Sequence, residues 1–271
     1  MVVTLLLGIS SPGWSTTLIS LYSNNFESYT PNSYPSPSNP LPGWTTMPSV
    51  YGVTPSIVTP AVGSGQALKL VSFGGGATGW MLGSSNLLAG STSDWQVSAT
   101  TKWTGSYLPS LPYYGVGGLL LSDNLPSDGL TGNWLWIGYS RGKYDGTSKS
   151  WSLPIMEYSL GGTSGSATLG GPAFRDFPEH APIPVSISRT GGSDTISLLI
   201  DSPTDGPVVR SNTFTGAQAA ALNSLVYVGF ANYYSDWEYD NLTVQAVPEP
   251  SSMALLGLAG FGLLLRRRRQ A

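Results

Sequence analysis

Apolar and polar residues alternate over many short stretches of this chain. The clearest case is residues 185–200, where Val, Ile or Leu fills every second position of two arms and Gly191-Gly192 lies between the arms. Alternation with a period of two places the apolar side chains on one face of a β-strand, and a Gly-Gly pair between two such arms is typical of a hairpin turn. We therefore predict a β-hairpin over residues 185–200.

Further runs of this kind follow one another along the chain, separated by turn clusters such as Ser127-Asp128-Gly129. The predicted strands are 66–73, 78–83, 95–103, 116–122, 134–139, 150–160, 185–189, 195–201, 208–213, 226–231 and 241–246. The proline-rich residues 30–60 are expected to form a long irregular surface segment, and the predicted helix, over 217–222, is short. Many short strands and almost no helix predict an all-β antiparallel sandwich in one domain of about 220 residues.

Three segments suggest which sandwich this is. Phe26-Glu27-Ser28-Tyr29 opens the domain, a Val-Gly-Phe strand lies within 226–231, and residues 239–244 close the domain. This arrangement resembles the concanavalin A-like (laminin-G-like) jelly roll over residues 20–246. The resemblance implies that the first and last strands pair and that the penultimate strand runs beside them. Lectins, glycosidases and inert adhesive modules share this fold, so function does not follow from it.

The last residues of the sequence have a different character. Residues 253–265 contain no charged side chain, and Arg266, Arg267, Arg268 and Arg269 follow directly. As a helix the apolar segment reaches about 20 Å, against about 30 Å for the hydrocarbon core of a bilayer. The residues on either side can extend the span, so the segment predicts a single short transmembrane helix. The arginines would stop transfer and favour the cytoplasm, which places the body on the opposite side of the membrane.

Pro248-Glu249-Pro250, the apolar segment and the arginine block together resemble the PEP-CTERM sorting signal of Gram-negative bacteria. The resemblance implies that an exosortase, an integral-membrane transpeptidase, recognises residues 247–271 and cuts near the motif. The protein would then pass from an inner-membrane intermediate to the cell surface or the exopolysaccharide matrix. The alternative is a plain C-terminal anchor that is never cut.

The first residues fit export less well. Met1–Ile9 are apolar but few, the first basic residue is Lys69, and no Ala-x-Ala site follows. We expect residues 1–19 to be a truncated signal segment, or the true start to lie upstream. The alternative is that residues 2–9 form an edge strand.

Composition narrows the function classes. The 271 residues contain no cysteine, so thiolate metal sites, disulfides and cysteine nucleophiles are excluded. Charged residues make up 10%, with 12 basic and 15 acidic side chains and a net charge of −3. Removing the four tail arginines leaves 8 basic residues and a charge of −7. An acidic body argues against nucleic-acid binding. For the oligomeric state, we expect a monomer.

Catalysis finds little support, and we expect no enzyme activity and no cofactor. His180 lies between prolines in a loop and is the chain's one histidine. The Glu-x-Asp-x-x-Glu signature of jelly-roll glycosidases, which need two facing carboxylates, is absent. Alternation places Asp236, Glu238 and Asp240 on one strand face, as a carboxylate dyad or calcium site requires. The alternative that we favour is an exposed strand entrance with a bulge near Asp240 and Asn241.

Aromatic residues are the remaining signal, with nine Trp and 14 Tyr in the chain. Trp134 and Trp136 share one face of a predicted strand, and Leu135 and Ile137 take the other. If the aliphatic pair faces the core, the Trp pair is exposed and stacks on sugar rings; Trp237 is a third candidate for such stacking. If the sheet is buried on both faces, all four residues are core, which is the alternative that we favour.

These observations together predict a non-enzymatic exported β-sandwich that binds carbohydrate or matrix. The alternatives are a secreted polysaccharide-active enzyme on a jelly-roll fold and a structural matrix protein without a specific ligand.

Overall fold

The computed structural model describes residues 19–30, 33, 41–46, 53–58, 65–72, 78–83, 85–88, 94–104, 116–125, 130–143, 150–169, 174–177, 181–189, 194–202, 206–233 and 236–246. Several predictions fall outside these residues, and they concern residues 1–18 of the signal segment, His180, and the tail with Pro248, Glu249, Pro250, the apolar segment 253–265 and Arg266, Arg267, Arg268 and Arg269.

Within the described residues the chain forms sixteen β-strands and one short α-helix. The strands are β1 (Ile19–Asn24), β2 (Trp44–Thr46), β3 (Val53–Val58), β4 (Ala67–Ser72), β5 (Thr78–Gly83), β6 (Trp95–Trp103), β7 (Val116–Ser122), β8 (Trp134–Lys143), β9 (Ser150–Leu160), β10 (Thr163–Thr168), β11 (Phe174–Phe177), β12 (Ile183–Arg189), β13 (Thr195–Ser202), β14 (Gly206–Thr213), β15 (Tyr227–Tyr233) and β16 (Trp237–Ala246). Helix α1 covers Gly216–Ala221, as predicted, and a 3-10 turn follows at Leu222–Ser224.

The strands form two antiparallel sheets of eight strands each. Sheet 1 has the order β14-β13-β12-β6-β16-β4-β3, with β1 also paired to β16. Sheet 2 has the order β10-β9-β8-β7-β15-β5-β2, with β11 also paired to β9. Side chains from one face of each sheet form a common hydrophobic core, so the predicted antiparallel β-sandwich is confirmed.

The predicted pairing of the first and last strands is also confirmed, because β1 pairs antiparallel with β16 from Ile19 opposite Ala246 onward. The expectation that the penultimate strand runs beside them is wrong. Strand β15 lies in sheet 2, where β5 and β7 occupy both of its edges. It meets β16 across the core instead. The rings of Phe230 and Tyr239 stack with centroids 4.4 Å apart, and the Tyr239 hydroxyl donates to the Ala231 carbonyl at 2.8 Å.

The turn after β1 is anchored in the core by Phe26. This residue has a φ of +59°, in the left-handed region, and its N–H donates to Asn24 Oδ1 at 2.7 Å. Its fully buried ring lies 5.7 Å from the Trp44 ring and 6.2 Å from the Phe230 ring. The opening motif therefore joins the two sheets at the point where the domain begins.

The hairpin predicted over 185–200 is confirmed, with Val185 opposite Ile200 and Arg189 opposite Ile196. The irregular segment predicted over 30–60 is corrected in part, because it contains β2 and β3. Strand β3 is the last strand in the order of sheet 1, and Pro55 lies in its middle. A proline is tolerated at a sheet edge because its missing N–H is not needed for pairing there.

Candidate functional site

The outer face of sheet 2, turned away from the core, carries a second apolar cluster. Leu135 and Ile137 of β8 point into the core, so Trp134 and Trp136 point outward. Their neighbours come from β5, β7, β9, β15 and the β7–β8 connection. We call this group the outer cluster, and its members are Leu82, Val116, Leu120, Trp136 and Ala231, with Leu125, Leu130, Trp134, Ile155 and Tyr227 partly buried against them.

The two tryptophans differ in their exposure. Trp136 is only 4% exposed, whereas Trp134 is partly exposed at the start of β8. Both alternatives from the sequence therefore hold in part. The aliphatic pair faces the core, and the sheet is nevertheless covered on its other face at Trp136. Trp134 is the ring of this pair that remains open to a ligand.

Glu157 of β9 adds a charged group to the outer cluster. It lies directly opposite Trp136 in the antiparallel pair β8–β9, and side chains in such positions are about 5 Å apart at Cβ. Burial raises the pKa of its carboxyl group above the ordinary value, because the charged form is penalised away from water. The Trp136 Nε1–H is buried and has no hydrogen-bond partner in the described part of the chain. The residue with the unpaired donor thus lies opposite, in the strand register, the residue with a poorly solvated acceptor.

The connection between β7 and β8 borders this face with a polar network. Asp123 Oδ2 accepts hydrogen bonds from the Asn133 backbone N–H at 3.0 Å and from its Nδ2 at 2.8 Å. Asn133 Oδ1 accepts from the Gly161 N–H at 2.9 Å, and its Nδ2 donates to Ser224 Oγ at 3.3 Å. The network ties this connection to the β9–β10 turn and to the 3-10 turn after α1. Sequence reasoning missed these residues because the network joins positions far apart in the chain.

Two oxygens in this connection are candidates for holding a cation. Asp123 Oδ1 and Asn124 Oδ1 are buried and have no partner among the described residues. Ca²⁺ takes six to eight oxygen ligands, so two acceptors do not make a calcium site. No group of three or more His, Cys, Asp or Glu side chains is placed to hold a metal ion in the described ranges.

Asp236, just before β16, and Glu238 and Asp240 within it do not form the calcium site considered from the sequence. Glu238 forms a buried ion pair with Lys102 at 3.1 Å, and Asp236 pairs with Lys69 at 3.5 Å. Two of the three carboxylates therefore form ion pairs with lysines of neighbouring strands. Asp240 accepts from the Asn241 N–H at 2.6 Å.

The favoured alternative, an exposed strand entrance with a bulge, is correct in part: the bulge lies where it was expected, but the entrance is not exposed at Glu238, which is buried in its ion pair with Lys102. The register between β16 and β6 shifts between Asp240 and Thr243, and Asn241 has a φ of +53°. Burial raises the pKa of Asp240; the hydrogen bond from the Asn241 N–H lowers it, and nearby Glu27 raises it.

Trp237 packs in the core and presents no ring to a ligand. It is fully buried, and its ring meets that of Tyr139 edge to face with centroids 5.1 Å apart. Gly117 of β7 faces it, and a Cβ at Gly117 would collide with the Trp237 ring. Trp237 therefore cannot stack on a sugar ring, and its candidacy for glycan stacking was wrong.

A second concave surface lies on the outer face of sheet 1. It is an open depression of about 420 Å³ whose lining includes Gln96, Thr100, Ser186, Asp201 and Asn241. Its lining contains no aromatic residue in the described part of the molecule. Ring stacking on sugars needs an aromatic face, so the outer cluster of sheet 2 is the better candidate site.

Comparison with known proteins identifies the tail. Residues 246–269 match the family model for the PEP-CTERM protein-sorting motif. The chain carries a PEP-CTERM sorting motif. Among curated proteins, none matches the chain in sequence. No helix in the described ranges is long and apolar enough to cross a bilayer.

Solved structures are similar to the part of the chain that precedes this motif. The basic winged bean lectin with Tn-antigen has a TM-score of 0.50 and 10% sequence identity, over 85% of this chain and 98% of that chain. Lectin I from Ulex europaeus, in complex with the methyl glycoside of α-L-fucose, has a TM-score of 0.47 and 13% identity, over 85% and 98%. A carbohydrate esterase from the Shiga toxin-encoding bacteriophage phi24B has a TM-score of 0.47 and 16% identity, over 85% and 99%. The similarity to the winged bean lectin shows the fold alone, a lectin-like jelly-roll sandwich.

The PEP-CTERM match begins on the last residue of the last strand. Ala246 is 2% exposed and pairs with Trp95 of β6 on one side and Ile19 of β1 on the other. One residue, Val247, separates it from Pro248. The sorting motif therefore follows directly from the middle of sheet 1.

Proposed function

We propose that this protein is exported, sorted through its PEP-CTERM tail by an exosortase, and binds carbohydrate with its β-sandwich without acting as an enzyme. The tail is the firmest support for the first part, since a dedicated sorting motif matches residues 246–269. In the precursor, residues 253–265 would span the inner membrane as a short helix, with Arg266–Arg269 on the cytoplasmic side. The body would then lie outside the cytoplasm until it is released to the surface or matrix.

The observation that carries carbohydrate binding is the partly exposed ring of Trp134 beside Glu157 and Trp136. Sugars are recognised by an aromatic face that stacks on their C–H groups together with a few polar groups that bond their hydroxyls. Trp134 supplies the face, and the Glu157 carboxyl is an acceptor on the next strand, opposite Trp136. The unpaired Trp136 Nε1–H is a buried donor in the same cluster.

The absence of an enzymatic function is supported by the carboxylates on this face. Glycoside hydrolysis uses two carboxyl groups about 5–9 Å apart. Glu157 is the one carboxylate within strands β7, β8, β9 and β15, and the carboxylate of Asp123, in the connection that borders this face, already accepts two hydrogen bonds from Asn133. The second candidate function, a polysaccharide-active enzyme, draws on the raised pKa of Glu157, which would suit a general acid.

A glycan array probed with residues 19–246 tests the proposal, because all sixteen described strands lie within that range. We expect binding to a restricted set of oligosaccharides that is lost in Trp134→Ala. Release of sugars or acyl groups from bound glycans, abolished by Glu157→Gln, would support the enzyme instead. A folded body that retains no glycan on the array would support a structural matrix protein.

A further inference from the structure

The end of the sandwich from which β16 leaves has an unusual relation to the sorting motif. We call it the tail end, and it comprises Ala246, the start of β6, the end of β12, Asp194 before β13, and the end of β14. Ala246 ends a strand that is not at the edge of the sheet, because β6, β12, β13 and β14 follow on one side of β16. At about 4.8 Å per strand, the sheet continues for roughly 19 Å beyond Ala246 in that direction.

The chain between the body and the cleavage region is short. An extended chain covers at most about 3.6 Å per residue. Glu249 is three residues beyond Ala246 and Ser252 is six, which limits them to about 11 Å and 22 Å from the end of the strand. Even a protein of 100 residues has a radius of gyration of about 13 Å. An enzyme that closes around residues 248–252 therefore touches the folded body.

We propose that the folded body docks on its membrane-embedded processing enzyme through the tail end of the sandwich. This inference rests on the proposed sorting by an exosortase. It goes beyond that proposal because the enzyme would then recognise the folded body as well as the tail. The fold itself would present the tail to the enzyme, and surface residues of the tail end would contribute to the rate of processing.

The tail end has the rigidity that such docking needs. Arg189, 4% exposed, lies opposite Trp95 and donates to Asn223 Oδ1 at 2.6 Å and to Asp194 Oδ1 at 3.4 Å. These bonds connect the end of β12, the residue before β13 and the 3-10 turn at one place. Two exposed side chains of the tail end are available for contact with a partner. Asp194 has 47% of its side chain exposed, and Thr213, at the end of β14, is exposed.

Processing of the full chain in membranes that contain the enzyme tests the proposal. Asp194→Lys and Thr213→Lys alter the tail end, and Asp201→Lys, an exposed position near the opposite end of β13, is the matched control. Each variant is made in the native chain and in a chain with a ten-residue Gly-Ser linker between Ala246 and Val247. Intact mass reports the fraction processed with time, and thermal unfolding confirms that each variant is folded.

We expect Asp194→Lys and Thr213→Lys to slow processing several-fold at native spacing and to have no effect once the linker separates body from motif. Asp201→Lys should have no effect in either chain. Native-spacing variants that are processed at the parent rate would overturn docking while leaving sorting intact. Faster processing with the added lysines would identify the anionic bilayer as the docking surface and overturn the enzyme contact. If no chain is processed, even with the linker, both docking and the proposed sorting fail.

Discussion

Trp136 of β8 lies directly opposite Glu157 of β9 on the outer face of sheet 2. The tryptophan is almost completely buried there, and burial raises the pKa of the glutamate. An aromatic ring and a carboxyl group are thus held together on a face that is not the main core. Trp134, two residues earlier on the same face, is partly exposed. The outer cluster therefore has a structural part and an accessible part.

The two tryptophans should separate binding from stability. Trp136→Ala removes a buried indole, and we expect the free energy of unfolding to fall by about 3–5 kcal/mol. Trp134→Ala removes a partly exposed ring, so we expect a clearly smaller loss of stability and a strong loss of glycan affinity. Denaturant unfolding and calorimetric titration with the array-selected oligosaccharide measure the two effects. Equal destabilisation by both variants would contradict the division of the cluster.

Glu157 should make stability depend on pH. Its folded-state pKa is raised above the ordinary 4.5 because burial disfavours the carboxylate. The native state therefore holds the proton more tightly than the unfolded state. The stabilisation of the native state by the proton on Glu157 is fully present below the ordinary pKa, and it is lost as the pH rises through the raised folded-state pKa.

Glu157→Gln keeps the shape of the side chain and removes the charge. We expect the variant to match the parent in acid and to unfold at a higher temperature than the parent at neutral pH. Thermal unfolding from acidic to neutral pH measures this difference, with the exposed Asp201→Asn as control. A constant difference between Glu157→Gln and the parent across the pH range would count against the assignment.

The ion pair between Lys102 and Glu238 should matter more than the pair between Lys69 and Asp236. Both groups of the first pair are buried, so removing one partner leaves an uncompensated charge and costs about 3–5 kcal/mol. The second pair is partly exposed, and its loss costs at most about 1 kcal/mol. Lys102→Met and Lys69→Met, compared by denaturant unfolding, test this ranking. Similar small losses in both variants would contradict it.

The sequence predicts the strands with strong period-two alternation, such as β6, β12 and β13, because one face of each packs in the core. It misses β10, whose residues Thr163–Thr168 are small and mostly polar, and it misses β3, which contains Pro55. β10 carries no apolar pattern, and in β3 Pro55 interrupts the alternation between Val53 and Ile57, so the pairing with β9 or β4 is what shows that they are strands.

The candidate site was predictable in part for a related reason. Alternation separates Trp134 and Trp136 from Leu135 and Ile137, but it does not tell which outward ring is covered by neighbouring strands. The partner Glu157 comes from β9, about twenty residues away, and only the register of β8 against β9 brings it opposite Trp136.

The orientation of the precursor can be measured with reporters. Because the arginine block follows the apolar segment, we expect Gln270-Ala271 in the cytoplasm and the body outside. An alkaline phosphatase fused after Ala271 should be inactive, since it folds only outside the cytoplasm. The same reporter in place of the tail, after Ala246 and behind a verified signal peptide, is the positive control. Activity of the fusion after Ala271 would contradict the orientation.

Processing should leave a new C-terminus close to the end of β16. We expect mass spectrometry of the surface-exposed protein to find chains that end within Pro248–Ser252, because the motif lies there and the strand residues up to Ala246 are paired on both sides. Glu249→Ala removes the motif's one charge and leaves the apolar segment unchanged, so we expect the uncut precursor to accumulate in the membrane. Glu27→Ala, which removes an exposed glutamate of the body, is the control and should be processed normally. Mature protein that still carries Arg266–Arg269 would show that the tail is a permanent anchor.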